Sequence, residues 1–181
     1  MATGVCSEAE WKALCNLDEP KSRSKTTVFF LFFGTKKEHT LDFQMAASTE
    51  SNARIRRILL ADDSECVRGI IRKSLETQPL LRVCGEAVDG MDAIEKARKL
   101  KPDLILLDLA MPRMNGIETA SVLRQEFPDI PIVLLTVHEN VLENAGVASR
   151  ATTAGVTAAI SKHAGAAAVV ECVQGLLKIE S

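Results

Sequence analysis

From Arg56 onward the chain repeats one unit five times: a short apolar run, then a stretch whose apolar residues recur at helical spacing. The runs are Ile58 to Ala61, Leu80 to Cys84, Leu104 to Leu107, Ile130 to Leu135 and Val156 to Ile160, the last poor in β-forming residues. The first, third and fourth are apolar at nearly every position, which suits strands buried on both faces of a parallel sheet. Between them, Val67, Ile70, Ile71 and Leu75, or Ile117, Ala120 and Leu123, fall on one side of a helix about three turns long. Parallel strands joined by helices require right-handed crossovers that place helices on both faces. The expected product is an α/β, doubly wound (βα)5 three-layer sandwich around five parallel strands.

The punctuation agrees. Asp89-Gly90 opens the second helix, Lys101-Pro102-Asp103 closes it, and Phe127-Pro128-Asp129 separates the third helix from the fourth strand. The fourth helix is expected within Asn140 to Thr153, and is the loosest, because Gly146 inside it costs about 1 kcal/mol relative to Ala. A fifth helix presents Val169, Val173 and Leu176 on one face.

Residues 1–53 show no such period. Five of the six Phe crowd into Phe29 to Phe43, and the chain has no Tyr. Val28 to Phe33 is suited to a strand, with Leu41 to Phe43 as a partner, yet an isolated hairpin is marginal in water. The expected division is an extension over 1–53, disordered or the product of a start placed too early, and a domain over 54–181.

Basic and acidic residues number 22 and 24, a formal charge of −2, so no charge excess steers the chain toward nucleic acid or an anionic membrane. The longest apolar stretch of the extension is Val28 to Phe33, far short of the roughly 20 residues of a membrane span. No basic and apolar leader opens the chain, which argues against secretion. Cys6, Cys15, Cys66, Cys84 and Cys172 are odd in number and form no C-x-x-C pair, so neither a disulfide framework nor a zinc site is expected. A cytoplasmic location follows as the expectation.

In a doubly wound sheet, ligands bind beyond the carboxyl ends of the strands. The residues there are Asp62 and Asp63 after the first run, Asp108 after the third, Thr136 after the fourth and Lys162 after the fifth. Singly, each has an ordinary reading: an acidic pair at a helix start, a strand-end carboxylate, a β-branched strand residue, a solvated lysine. Together they put three carboxylates, a hydroxyl and an ammonium in one cleft. Three carboxylates repel, and a cation relieves that; Mg²⁺ suits a few carboxylates, waters and a phosphoryl oxygen.

The strand ends Leu59-Leu60-Ala61-Asp62-Asp63, Asp108 with Met111-Pro112-Arg113-Met114-Asn115-Gly116, Leu135-Thr136 and Ser161-Lys162 carry a resemblance. From Arg56 to about Ile179 the chain resembles the receiver domain of bacterial two-component response regulators, whose fold has the flavodoxin-like strand order 2-1-3-4-5. The resemblance implies phosphorelay signalling: Asp108 accepts a phosphoryl group from the phosphohistidine of a sensor histidine kinase or a phosphotransfer protein. It further implies that Asp62, Asp63, Asp108 and the backbone carbonyl of Ala110 hold Mg²⁺. Lys162 would pair with Asp108 and then with the phosphoryl group, and Thr136 would move to bond it, switching contacts with a downstream protein. Such a domain is a phosphoacceptor rather than an enzyme, catalysing at most its own phosphorylation and dephosphorylation.

The chain departs from the family pattern in places. Ala158 and Ala159 occupy the positions where an aromatic usually couples to the threonine, Val137 replaces a smaller residue, and His163 stands where proline is common. The segment from Thr136 to Lys162 is longer than usual by about one helical turn. His138 reads as a solvent-facing loop residue, and His39 and His163 belong to no constellation. Only 19 residues follow Lys162, enough for one helix and not for a helix-turn-helix, so a receiver standing alone or lacking its output domain is expected, with no DNA-binding domain.

Two other readings compete. A receiver-fold interaction module working without phosphorylation fits the altered fourth helix and Ala159. A phosphohydrolase with an aspartyl-phosphate intermediate does not, since Asp108-Leu109-Ala110 has Ala where that class places its general acid.

A chain starting at Met45 is expected to fold with the same cooperativity as the full chain and to take a phosphoryl group equally well. Thermal unfolding checks this: a melting temperature lowered by several degrees, about 1 kcal/mol or more, would mean that the extension is docked on the domain.

Overall fold

A computed structural model describes residues 54–137 and 144–179. Among the described residues, five strands alternate with five α-helices: β1 (Arg56–Ala61), α1 (Glu65–Glu76), β2 (Leu81–Ala87), α2 (Gly90–Leu100), β3 (Leu104–Asp108), α3 (Gly116–Glu126), β4 (Ile132–Thr136), α4 (Ala145–Thr153), β5 (Ala158–Ser161) and α5 (Gly165–Leu177). All pairings are parallel, and the sheet order is β2-β1-β3-β4-β5. The doubly wound architecture expected from the alternating pattern is the one observed. The Phe-rich stretch, Met45, His39 and His138 lie outside the described residues.

Every residue of β3 and β4 is buried, which explains their unbroken apolar runs. Alternate residues feed opposite faces. Ile58, Leu60, Leu104, Leu106, Val133 and Leu135 pack with Ile71 and Leu75 of α1 and with Val169 and Val173 of α5. Leu59, Ile105, Leu107, Ile132 and Leu134 pack with Ala93 and Ala97 of α2, Ala120 and Leu123 of α3, and Ala151 of α4. Leu176 is half buried against the first of these clusters, while Cys172 and Leu177 complete the inner face of α5.

Side-chain caps set where the helices begin. Ser64 accepts a hydrogen bond from the Val67 amide at the start of α1, and Asp89 accepts one from the Asp92 amide at the start of α2. Asn115 and Glu118 form a reciprocal capping box on α3. These caps hold the loops that follow β1, β2 and β3 at the carboxyl edge of the sheet.

Local details differ from the sequence reading: β2 runs on from Cys84 to Ala87, and β4 starts at Ile132 rather than Ile130. The helix expected within Asn140 to Thr153 runs from Ala145, with Asn144 accepting from the Gly146 and Val147 amides. Gly146 therefore lies in the first turn, where the interior glycine penalty does not apply. Ala151 is the one buried residue of α4. Strand β5 starts at Ala158 rather than Val156, because Thr157 is held outside it: its amide donates to the Ile132 carbonyl, and its hydroxyl accepts from the Ile132 amide at 3.1 Å. On β2, a bulge opposite Ile58 and Leu59 leaves Cys84 out of register. Cys84 and Cys172 are free thiols, with burial pushing Cys172 up to about 11. No helix among the described residues is long and apolar enough to cross a membrane.

Gly116 is where the fold meets the site. A Cβ there would lie 2.4 Å from the Asp108 carbonyl oxygen and 3.0 Å from Leu109 Cα, both backbone atoms that cannot swing aside. Gly116→Ala is expected to destabilise the protein by about 1–3 kcal/mol through overpacking. At Gly175 of α5 a Cβ meets nothing within 4 Å, and Gly175→Ala is expected to stabilise by about 0.4–1 kcal/mol. Urea denaturation of both variants checks the pair; equal midpoints would show that the β3–α3 junction is not packed this closely.

Candidate functional site

Parallel register brings the carboxyl ends of four strands level. Ala61 pairs with Leu107, Asp108 with Leu135, and Thr136 with Ser161. The residues that close these strands, or follow them directly, therefore converge: Asp62, Asp63, Asp108, Thr136 and Lys162. Asp62, Asp108, Thr136 and Lys162 are buried, and Asp63 is exposed.

Lys162 lies in a one-turn 3-10 helix, Lys162–Ala164, capped by the Ser161 hydroxyl, which accepts from the His163 amide at 3.2 Å. Its ammonium donates to Asp62 Oδ2 at 2.6 Å and pairs with Asp108 Oδ1 at 2.9 Å. The other oxygen of Asp62 accepts from the Ser64 amide at 2.9 Å. Burial raises the Asp62 carboxyl above its ordinary value; the Lys162 charge opposes this and the Asp108 charge adds to it. For Lys162, burial alone would depress the ammonium, but the charges of Asp62 and Asp108 and their hydrogen bonds outweigh it and hold the group above the usual lysine value.

Asp62, Asp63 and Asp108 each offer a carboxylate oxygen, and these oxygens lie within 4.8 Å of one another. Three carboxylates against one ammonium leave two formal negative charges. That hard, all-oxygen set fits Mg²⁺ in chemistry and charge. Ala110 sits two residues past Asp108 at the exposed start of the β3–α3 loop.

Basic side chains hold the surrounding loops, and sequence reasoning missed them. Arg68, buried on α1, donates to the Asp62 carbonyl at 2.8 Å and to Glu86 Oε2 at 2.9 Å; Arg72 takes the other oxygen of Glu86 at 2.8 Å. The signal was available: Arg68 occupies the helical face of Ile71 and Leu75, where the period calls for an apolar residue. Asp89, fully buried, caps α2 and also pairs with Arg113, a residue with φ of 65° in the β3–α3 loop. His163, expected to belong to no constellation, bonds through Nε2 to the Val137 carbonyl at 2.5 Å.

Comparison with known proteins agrees with this arrangement. A family model described as the response regulator receiver domain matches residues 58–174. The chain is 40% identical over 125 residues to the response regulator protein VraR of Staphylococcus saprophyticus, covering 69% of this chain and 58% of that protein. It is also 40% identical over 80 residues to a protein-glutamate methylesterase/protein-glutamine glutaminase of Pyrococcus abyssi, covering 44% of this chain and 22% of that protein. The crystal structure of the response regulator domain of Thermotoga maritima CheB matches with a TM-score of 0.62 at 28% identity, covering 71% of this chain and 100% of that one. The chain thus spans well under two thirds of both curated relatives, and less than a quarter of the methylesterase, whose named activity does not transfer with so partial a match. The family model takes in more than half of the sequence and the strand order is that of its solved relatives, so the chain belongs to the receiver domains of two-component response regulators.

Proposed function

We propose that Asp108 is the phosphoacceptor of a phosphorelay, and that Asp62, Asp63, Asp108 and the Ala110 carbonyl hold the Mg²⁺ it uses. The observation that carries this reading is the buried Lys162 ammonium shared between Asp108 and Asp62, beside an exposed Asp63. A carboxylate oxygen of Asp108 attacks the phosphorus of a phosphohistidine as the bond from phosphorus to the imidazole nitrogen breaks, and that electron pair stays with the leaving histidine. The metal, when bound, neutralises charge on the phosphoryl oxygens. Lys162 exchanges its bond to Asp108 for one to the phosphoryl group, supplying a fixed positive charge from a buried position. Thr136, at the end of β4, turns its hydroxyl to a phosphoryl oxygen.

The donor is a sensor histidine kinase or a phosphotransfer protein. Output passes to a downstream protein through the face made by α4, β5 and α5, where small side chains leave shallow apolar surface. The reading carries a cytoplasmic location with it. Beyond signalling, the chain's own chemistry is limited to gaining and losing the phosphoryl group.

Acetyl phosphate with Mg²⁺, followed by intact mass, is expected to give one phosphoryl adduct that disappears without Mg²⁺ and in Asp108→Asn. An adduct that persists in Asp108→Asn would sink the assignment of the acceptor. The second expectation concerns stability. Mg²⁺ at about a hundred times its Kd should stabilise the chain by about 2.7 kcal/mol. In Asp63→Asn, which removes one of the repelling carboxylates, that gain should be lost and the metal-free protein should be no less stable than the parent. Thermal melts with and without Mg²⁺ decide the matter; an undiminished Mg²⁺ shift in Asp63→Asn counts against this ligand.

A further inference from the structure

Adjacent residues of the Lys162–Ala164 turn point to different loops. Lys162 reaches inward to Asp62 and Asp108, while His163 bonds to the Val137 carbonyl, one residue beyond Thr136. A carbonyl only accepts, so His163 carries its proton on Nε2 and donates. The ring is half buried and the turn beneath it is fixed by the Ser161 cap. One short turn thus holds the ammonium at the acceptor and, through the next residue, ties down the peptide that leaves Val137.

Resting on the phosphoacceptor reading, we infer that His163 is a positioning residue for phosphoryl transfer: its Nε2–H donation to the Val137 carbonyl locks the β4–α4 junction to the Lys162 turn. Thr136 Oγ and Lys162 Nζ are then presented together to one phosphoryl group. The basis is preorganisation. Two donors serve a transferring group best when their relative positions are set before reaction, and β4 and β5 share only a short ladder from Val133–Ala158 to Thr136–Ser161. Beyond that ladder, the His163 bond continues the connection where backbone pairing ends. Ala158 and Ala159 supply no bulk to brace the junction from β5, which leaves the histidine to do so. His163 touches neither the acceptor nor the carboxylates, so its effect belongs to the transfer step and not to cation affinity.

The test compares the full chain with His163→Ala, which loses the donor, and His163→Gln, whose amide restores an N–H. Acetyl phosphate with Mg²⁺ gives the phosphorylation rate by intact mass, and calorimetric titration gives the Mg²⁺ dissociation constant. His163→Ala is expected to phosphorylate about three- to tenfold more slowly, the effect of one net hydrogen bond. Its Mg²⁺ affinity should match the parent's, and His163→Gln should recover most of the rate. A parental rate in His163→Ala overturns the inference. Equal slowing in both variants, or Mg²⁺ affinity falling in step with the rate, overturns it as well. Absence of any adduct on the parent chain would instead sink the phosphoacceptor reading, and this inference with it.

Discussion

The site is organised by one ammonium, that of Lys162, held between two buried carboxylates, one just past β1 and one at the end of β3. Asp62 and Lys162 are 100 residues apart in sequence, and the contact closes only if four strand ends finish level. Because β4 lies between β3 and β5, a residue after β5 must reach over a neighbouring strand to touch Asp108, a span of roughly two strand spacings, about 10 Å. A long, flexible, charged side chain on a turn just past the strand meets that requirement. The arrangement is electrostatically unbalanced, since two buried acids and an exposed third share one base. A buried ion pair offers little net stability, because desolvation offsets most of the attraction, but losing one member leaves a stranded charge. The cluster is therefore no source of stability, and the apolar layers on the two faces of the sheet supply that instead.

Around this centre the loops are fixed by arginines and a histidine bonded to backbone or to buried acids. Arg68 holds the Asp62 carbonyl, Arg113 reaches the fully buried Asp89, and His163 bonds to the Val137 carbonyl. These three tie the loops after β1, β3 and β4 to α1, to the start of α2 and to the Lys162 turn. Loop backbone at the mouth of a site has no ladder to satisfy it, so side-chain donors take over that task. Arg113 adopts a left-handed φ uncommon for a non-glycine residue, and its guanidinium lies against Asp89. The acidic centre is thus surrounded by side-chain donors that restrain loop geometry.

How much of this could be read from the sequence follows from which forces act locally. The five strands and the helices between them were legible, because burial on two faces writes an unbroken apolar run and a helix writes its own period. Asp62, Asp63, Asp108, Thr136 and Lys162 were legible for a related reason: in a parallel sheet the residue after each strand is a geometric class, so topology alone gathers them. Arg68, the Asp89–Arg113 pair and the His163 bond were not, since each depends on a side chain finding an acceptor on a different loop, and no periodicity records that meeting. Cys84's displacement at the β2 bulge and the late start of β5 escaped for the same reason. Thr157 fits a strand by propensity, and only its exchange with Ile132 shows that it stands just outside one. Arg68 is the exception, a charge on an apolar face that a stricter reading of α1 would have marked.

The neighbouring acids Asp62 and Asp63 look alike in sequence and differ in the fold, which separates what each can contribute. Both oxygens of Asp62 are engaged, one by the Ser64 amide and one by Lys162, and burial favours its protonated form. Asp63, one residue later, faces solvent at the mouth of the same cluster. A hydrated cation such as Mg²⁺ sheds its waters reluctantly and keeps several of them. On the proposed reading, such a cation would be reached first by the exposed Asp63. Asp62, whose bonds to the Ser64 amide and Lys162 hold the ammonium in place, would contribute through its remaining lone pairs. The order of the pair is consequential: exchanging the buried and exposed carboxylates would leave the ammonium without its anchor and the cation without an entrance.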